Sequence, residues 1–263
     1  MDLKEKTIAP TMAQSDSILR SSYTEFYKKS SKQVSQFVQT VFNPDDIVEI
    51  RFIKKWQKAF SRWFVAQSLS NALEKLSPLN QAGYNVYIGA NPRPKKGIRG
   101  DSNIRLARTF FVDFDHLGDD PLKTAQERIA SVDIPKPSLI VNSGHGIHCY
   151  WRLKKPIFNI RMWQQCMQAL ISLLGSDKSV KNPERIMRLP GFLNTKDKPV
   201  PCQIKEVNSQ QHDAENFIEL LREGNNVIGH IQSSDEHQKT QDDSVGSGSS
   251  VGSSVCKTND SIV

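Results

Sequence analysis

The amino-acid sequence predicts an α/β (α+β) domain set between two polar ends. Three observations carry this. From residue 31 to about residue 228, short β-branched and aromatic runs alternate with longer stretches of helical apolar spacing. Residues 1–30 are mixed and polar, and residues 229–263 are dominated by Ser, Gln, Asp and Gly. These read as a mobile arm, with a short helix near Ser17–Tyr27, and a disordered tail. Third, Phe110-Phe111-Val112-Asp113-Phe114-Asp115 reads as a buried strand ending in two carboxylates. Side chains alternate along a strand, so Asp113 and Asp115 share a face, with Cα atoms about 7 Å apart, and Phe114 turns into the core. Like charges so placed repel unless a cation lies between them, and oxygen ligands favour Mg²⁺ or Mn²⁺. Taken alone, the same pattern also fits a strand running into an Asp-rich turn.

Each element has its own signal. Val34, Phe37, Val38 and Val41 recur at helical spacing, and Asn43-Pro44-Asp45-Asp46 breaks the chain after them. Ile47–Ile53 reads as a strand with Glu49 and Arg51 on one face. Glu49 is expected in solvent, and Arg51 either there or facing a phosphate. Trp56–Leu79 reads mostly as a helix, with Phe60, Trp63, Phe64, Leu69, Leu73 and Leu76 inward and Pro78 closing it. Asn85–Ala90 alternates as a strand. It leads into a basic, glycine-containing loop, residues 91–100, whose Arg93 and Arg99 are the better candidates for a template or nucleotide phosphate.

Leu122–Ser131 reads as a helix and Ser138–Asn142 as a buried strand. Ser143-Gly144-His145-Gly146 then predicts a tight turn into a second strand, a β-hairpin. Glycines at 144 and 146 let a ligand approach the backbone. His148, Tyr150 and Arg152 share a face expected to be polar, and Ile147, Cys149, Trp151 and Leu153 a core face. Ser143 and His148 are candidate donors to phosphate oxygen, whereas His145 is expected to be simply exposed. Ile160–Leu174 is the clearest amphipathic helix, capped by Gly175. A short helix is expected from Pro183, with Asn182 as N-cap and Arg185 and Arg188 on one face, ending at Pro190-Gly191. Gln203–Val207 reads as a strand and Ala214–Gly224 as a helix.

The formal net charge of +7 points to an acidic partner, nucleic acid first. The four cysteines (Cys149, Cys166, Cys202 and Cys256) form no C-x-x-C and have no zinc spacing, as expected of reduced cytoplasmic thiols. No leader peptide and no stretch long and apolar enough for a membrane span is read.

An acidic strand end, a Ser-Gly…His hairpin and an acidic residue followed by Arg185-Ile186-Met187-Arg188-Leu189-Pro190-Gly191-Phe192-Leu193-Asn194 occur in that order. This resembles the archaeo-eukaryotic primase superfamily, in particular the primase-polymerase branch common on plasmids, phages and other mobile elements. The resemblance covers roughly residues 31–208 and includes Val86-Tyr87-Ile88-Gly89-Ala90-Asn91-Pro92-Arg93. It implies an N-terminal αβ unit packed on a sheet like that of RNA-recognition folds, with the active site in the cleft between them. It implies that Asp113 and Asp115 bind two divalent metals, with Asp177 as third carboxylate and Glu184 as its rival. It implies that Ser143, Gly144, His148, Arg185, Arg188, Asn194 and Lys196 hold an incoming nucleotide.

The implied activity is primer synthesis or extension from (d)NTPs on a single-stranded DNA template, alongside a helicase or other replication partner. Two alternatives stand beside it. One is a metal-dependent nicking initiator nuclease, although no H-x-H accompanies Tyr150. The other is an inactive nucleic-acid-binding module.

Overall fold

The computed structural model describes residues 26, 29–208 and 210–223. The predicted tail, and the predicted arm except for residues 26, 29 and 30, lie outside them. Residue 26 is helical, and residues 29 and 30 belong with helix α1, which runs to residue 41. Strand β1 (Ile47–Ile53) follows, then β2 (Phe60–Val65), helix α2 (Leu73–Gln81) and β3 (Asn85–Gly89). Next come β4 (Ala107–Asp115), α3 (Pro121–Ala130), β5 (Leu139–Asn142), β6 (Gly146–Ile157) and α4 (Ile160–Leu174). The chain closes with β7 (Ile186–Arg188), β8 (Leu193–Asn194), β9 (Val200–Pro201), β10 (Gln203–Val207) and helix α5 over residues 214–223.

Two four-stranded antiparallel sheets organise these elements. The first has the order β2-β1-β3-β7 and the second β10-β5-β6-β4, with β8-β9 as a separate two-stranded ribbon. The run β4-α3-β5-β6-α4 follows a βαββα order, with β10 added beyond β5. The fold is thus a mixed α/β one, as the sequence predicts. One face of the second sheet carries Phe110, Val112 and Phe114. There Phe217 of α5 stacks on Phe110 at 5.1 Å, and Arg128 of α3 lies over Phe114. The other face carries Phe111, Asp113 and Asp115. It is apolar for most of its length and opens to a cleft only at its acidic end.

Three expectations fail. Residues 60–65 are a strand, paired with β1 from Ile47↔Val65 to Phe52↔Phe60. The apolar spacing 60, 63, 64 fits a helix, but the aromatic and β-branched run satisfies its backbone on the β1 edge, where Phe60 stacks on Phe52 at 4.9 Å. The rest of this region is two 3₁₀ turns (Ala66–Ser68 and Ser70–Ala72) and then α2, with Pro78 inside α2 rather than at its end. Residues 186–188 are also a strand. The few residues between Pro183 and Pro190 are too few to nucleate a helix, and the open edge of β3 takes them as Tyr87↔Arg188, Ile88↔Met187 and Gly89↔Ile186. Finally, the His148-Tyr150-Arg152 face is not polar. Helix α1 covers it, with the Phe37 ring edge-on to Tyr150 at 5.4 Å, and the Arg152 guanidinium donates to Val41 O and Asn43 Oδ1. Among the described residues no helix is long and apolar enough to cross a membrane.

Candidate active site

The register of β4 against β6 builds the acidic side of the cleft. Asp113 lies opposite His148 and Asp115 opposite Gly146. A Cβ at Gly146 would meet the Phe114 carbonyl oxygen at 2.5 Å and Asp115 Oδ1 at 2.8 Å, so only glycine lets the two strands close beside the carboxylate. The turn is locked from within. Ser143 Oγ donates to Gly146 O and accepts from Gly146 N–H, both at 3.1 Å, while Asn142 Oδ1 accepts from Gly144 N–H at 2.8 Å. Gly144 has a φ of +97°, and Val200 and Asn194 leave no room for a side chain there.

The third carboxylate arrives from the chain after α4. Gly175 ends that helix in the left-handed conformation, and Asp177 N–H then donates to the Asp113 carbonyl at 2.9 Å. This backbone bond fixes Asp177 beside β4. Its carboxylate accepts from Ser179 N–H (2.8 Å) and Ser179 Oγ (2.7 Å), and Arg185 stands 3.8 Å away. Asp113, Asp115 and Asp177 each present an oxygen within 4.8 Å of the others. Glu184, the rival, turns away and accepts from Arg51 at 2.8 Å and Arg99 at 3.2 Å.

The opposite wall is basic and belongs to the first sheet. Arg185, Arg188 and Lys196 line the cleft with Ile53, Tyr87 and Met187, around a volume of about 320 Å³. Arg188 is held in place: Asn85 Oδ1 accepts from it at 2.5 Å, and its guanidinium lies 4.9 Å over the Tyr87 ring. Asn85, Tyr87 and Ser179 went unrecognised as site residues in the sequence. The signal for the first two was the alternation of β3, which puts both on the face opposite Val86 and Ile88.

Charge on the acidic side is out of balance. Burial, then the charges of Asp115 and Asp177, push the Asp113 carboxyl up to about 7. Its Oδ1 is buried without a hydrogen-bond partner. His148 Nε2 lies 3.5 Å from it, too far to bond. Burial and the Arg188 charge lower His148 to about 3, so the imidazole is neutral. The Tyr150 hydroxyl faces Nδ1 at 3.4 Å, and Nε2 is the ring nitrogen on the side of Asp113 and the cleft. Desolvation pushes Asp177 up, but the two Ser179 bonds and Arg185 outweigh it and hold the carboxyl below its ordinary range. An orphaned buried oxygen within a cluster of three carboxylates fits a hard divalent cation such as Mg²⁺ or Mn²⁺.

Several residues expected at the site are elsewhere or do other work. Arg93 is fully buried and forks onto Glu49 Oε2 at 2.8 and 3.0 Å, so it is not a phosphate contact. Glu49, expected in solvent, is equally buried. Desolvation raises it, but bonds from Ser61, Arg93 and Arg51 win and keep it ionised. Arg93 also donates to Glu184 O, and Asn91 Nδ2 to Pro183 O. This charge network clamps residues 183–185 onto the first sheet. Arg99 is half exposed but tied into the same network. Asn194 is buried, donating to Ser143 O at 3.0 Å and accepting from Lys196 N–H at 3.1 Å, and so braces the glycine turn.

A carboxylate cluster faces an arginine wall in a cleft between two antiparallel sheets. The family model for the RepB DNA-primase N-terminal domain matches residues 59–223, more than half of the chain, and the chain belongs to that family. A "Replication protein" of Clostridium perfringens is 27% identical over 153 residues. That match takes in 55% of this chain but 36% of the relative, so the chain spans about a third of its length.

Solved structures share the fold. The AEP domain of the cyanophage S-2L primase-polymerase superposes with a TM-score of 0.59 at 21% identity, covering 72% of this chain and 97% of that one. Primase RepB′ gives 0.57 at 16% identity, over 81% and 67%. The catalytic domain of RepB′ in complex with initiator DNA gives 0.55 at 17% identity, over 78% and 97%.

Proposed function

We propose that this domain is a nucleotidyltransferase that makes or extends primers on a single-stranded DNA template from (d)NTPs. The observation that carries this reading is the Asp113–Asp115–Asp177 cluster, whose Asp113 has an unpartnered buried Oδ1, lining one cleft with Arg185, Arg188 and Lys196. Bound by the three carboxylates, Mg²⁺ or Mn²⁺ would supply the Lewis acid for the attacking 3′-hydroxyl and the leaving pyrophosphate.

The chain's own residues do the rest. Arg185 and Arg188 neutralise the triphosphate of the incoming nucleotide, and Arg188 is preorganised by Asn85 and Tyr87. His148 Nε2–H donates to a phosphate oxygen. Lys196, exposed at the rim, attracts phosphate to the cleft. Ser143, Gly144 and Asn194 shape the turn on which the nucleotide lies. A DNA partner is supported by the complex of the RepB′ catalytic domain with initiator DNA. A helicase or other replication partner fits a domain spanning a third of a curated replication protein. The reduced, buried Cys149, Cys166 and Cys202 suit a cytoplasmic setting.

The nicking-nuclease reading loses ground here, because the Tyr150 hydroxyl is buried and burial drives its pKa well above the ordinary value. It is not a poised nucleophile.

The test is nucleotide incorporation on single-stranded DNA with Mg²⁺ or Mn²⁺, with and without primer, beside the Asp113→Ala/Asp115→Ala double variant. Metal-dependent product from the native chain, lost in the variant while DNA binding persists, is expected. Synthesis by the double variant would refute the assignment, and template cleavage in place of synthesis would revive the nuclease.

A further inference from the structure

Trp56 is 92% exposed, the most exposed large apolar side chain among the described residues. It sits at the tip of the β1–β2 hairpin in Lys54-Lys55-Trp56-Gln57-Lys58, a turn with three lysines and no acid. Its backbone is in the left-handed region at φ +65°, a conformation a bulky residue rarely adopts. The surroundings hold it there. Lys54 Nζ donates to Ala82 O at 2.7 Å, and the Tyr84 hydroxyl donates to Gln57 Oε1. Beneath the turn, the Phe60 ring meets the Tyr84 ring edge-on at 5.5 Å. The indole has Lys55 Nζ 5.2 Å from its centre and is otherwise open to solvent.

The tip is continuous with the proposed active site. Ile53, three residues before Trp56, lines the cleft. The same corner at residues 82–84 that anchors the hairpin also anchors the loop bearing Lys196, because Thr195 Oγ1 donates to Gly83 O at 2.9 Å. The lysine-bearing hairpin and the loop bearing Lys196 therefore meet at one corner, and Ile53 and Lys196 on either side of it line the cleft. A planar aromatic surface among cations, held outside the core at a cleft that takes nucleotides, has the chemistry of a base-stacking platform with backbone neutralisation. We infer that Trp56 stacks on a base of the single-stranded template at the cleft entrance, while Lys55 and Lys58 neutralise its phosphates. This rests on the polymerase reading for the identity of the strand, but not for the binding itself.

The test uses the full chain with Trp56→Ala, Trp56→Phe and Lys55→Ala/Lys58→Ala. The affinity for a fluorescent oligo(dT) is measured at several salt concentrations, beside incorporation at saturating template. Because the ring packs against almost nothing, thermal unfolding should not change. Trp56→Ala should weaken binding about tenfold, the effect of one lost stacked base, raise the template KM and leave kcat unchanged. Trp56→Phe should recover most of the affinity. The double lysine variant should flatten the salt dependence by about 1.4 ion equivalents. Unchanged affinity in Trp56→Ala, or a native chain that binds no single-stranded DNA, would overturn the inference. A native chain that binds through Trp56 yet incorporates nothing would sustain the inference and defeat the polymerase reading.

Discussion

Replacing Asp113 by Asn should stabilise the metal-free protein above neutral pH while abolishing its activity. Asp113 has an ordinary carboxyl value of 3.8 and is pushed up to about 7 in the fold, first by burial and then by Asp115 and Asp177. A raised carboxyl pKa means that the folded state resists ionisation. Below 3.8 the group is protonated in both states and nothing is lost. Between 3.8 and about 7 the unfolded chain gives up its proton and the folded chain does not, so stability falls as pH rises, and above about 7 the loss is complete. Three units at 1.36 kcal/mol each set an upper limit of ~4 kcal/mol. The side chain retains 20% exposure, and solvent screening leaves ~2 kcal/mol, or ~4–8 °C in melting temperature. Thermal unfolding at pH 5 and pH 8 in a chelator, for the native chain and Asp113→Asn, isolates this contribution because other titrating groups cancel between the two. The gap in favour of the variant should widen from pH 5 to pH 8. Added Mn²⁺ should close it by stabilising the native chain alone. A gap that does not change with pH would show that Asp113 is not the carboxyl under pressure.

Two further changes probe the parts that hold the site. His148→Ala should raise the nucleotide KM about tenfold, the effect of losing one hydrogen bond to a charged phosphate, with a smaller change in kcat. Steady-state incorporation at varied nucleotide measures this, and an unchanged KM would remove His148 from the triphosphate site. Arg93→Met should destabilise the domain by about 3 kcal/mol, because Glu49 keeps its buried charge and loses its forked partner. Urea unfolding reads the loss, and the Glu49→Gln/Arg93→Met pair should recover part of it. A pair as unstable as the sum of the two single variants would mean that the residues do not act together.

What the sequence revealed of this molecule was what short-range pattern can encode. The stripe of α4 is visible because fifteen residues repeat one period. Asp113 and Asp115 are visible as neighbours because strand alternation puts them on one face. The hairpin is visible because glycines punctuate it. The failures have a common cause in pairing across long sequence distances. Phe60, Trp63 and Phe64 fit a helix as well as a strand, and the edge of β1 decided between them. Arg93 looks like a phosphate ligand until Glu49, 44 residues earlier, folds beneath it. Arg188 was recognised, but not Asn85, 103 residues away, which aims it. A run such as Ile186-Met187-Arg188 has no intrinsic preference strong enough to override an available sheet edge.

The same long-range pairing explains how two walls of opposite charge can face each other without collapsing together. The acidic wall belongs to β4 and β6 in one sheet, and the basic wall to β7 in the other. Residues 177–188 join them. At one end Asp177 N–H bonds to the Asp113 carbonyl; at the other β7 pairs with β3. Between these ends, Arg51, Arg93 and Arg99 hold Glu184 and its carbonyl, and Asp101 accepts from Glu184 N–H at 2.7 Å. The third carboxylate and the two cleft arginines thus share one short segment fixed at both ends. Arg185 reaches across to Asp177 at 3.8 Å, and the charges of Arg185 and Arg188 lower the Asp113 carboxyl only in part, so that it stays raised. The fold therefore maintains an incompletely neutralised acidic pocket opposite a preorganised basic wall, and the proposed divalent cation and triphosphate would satisfy both at once.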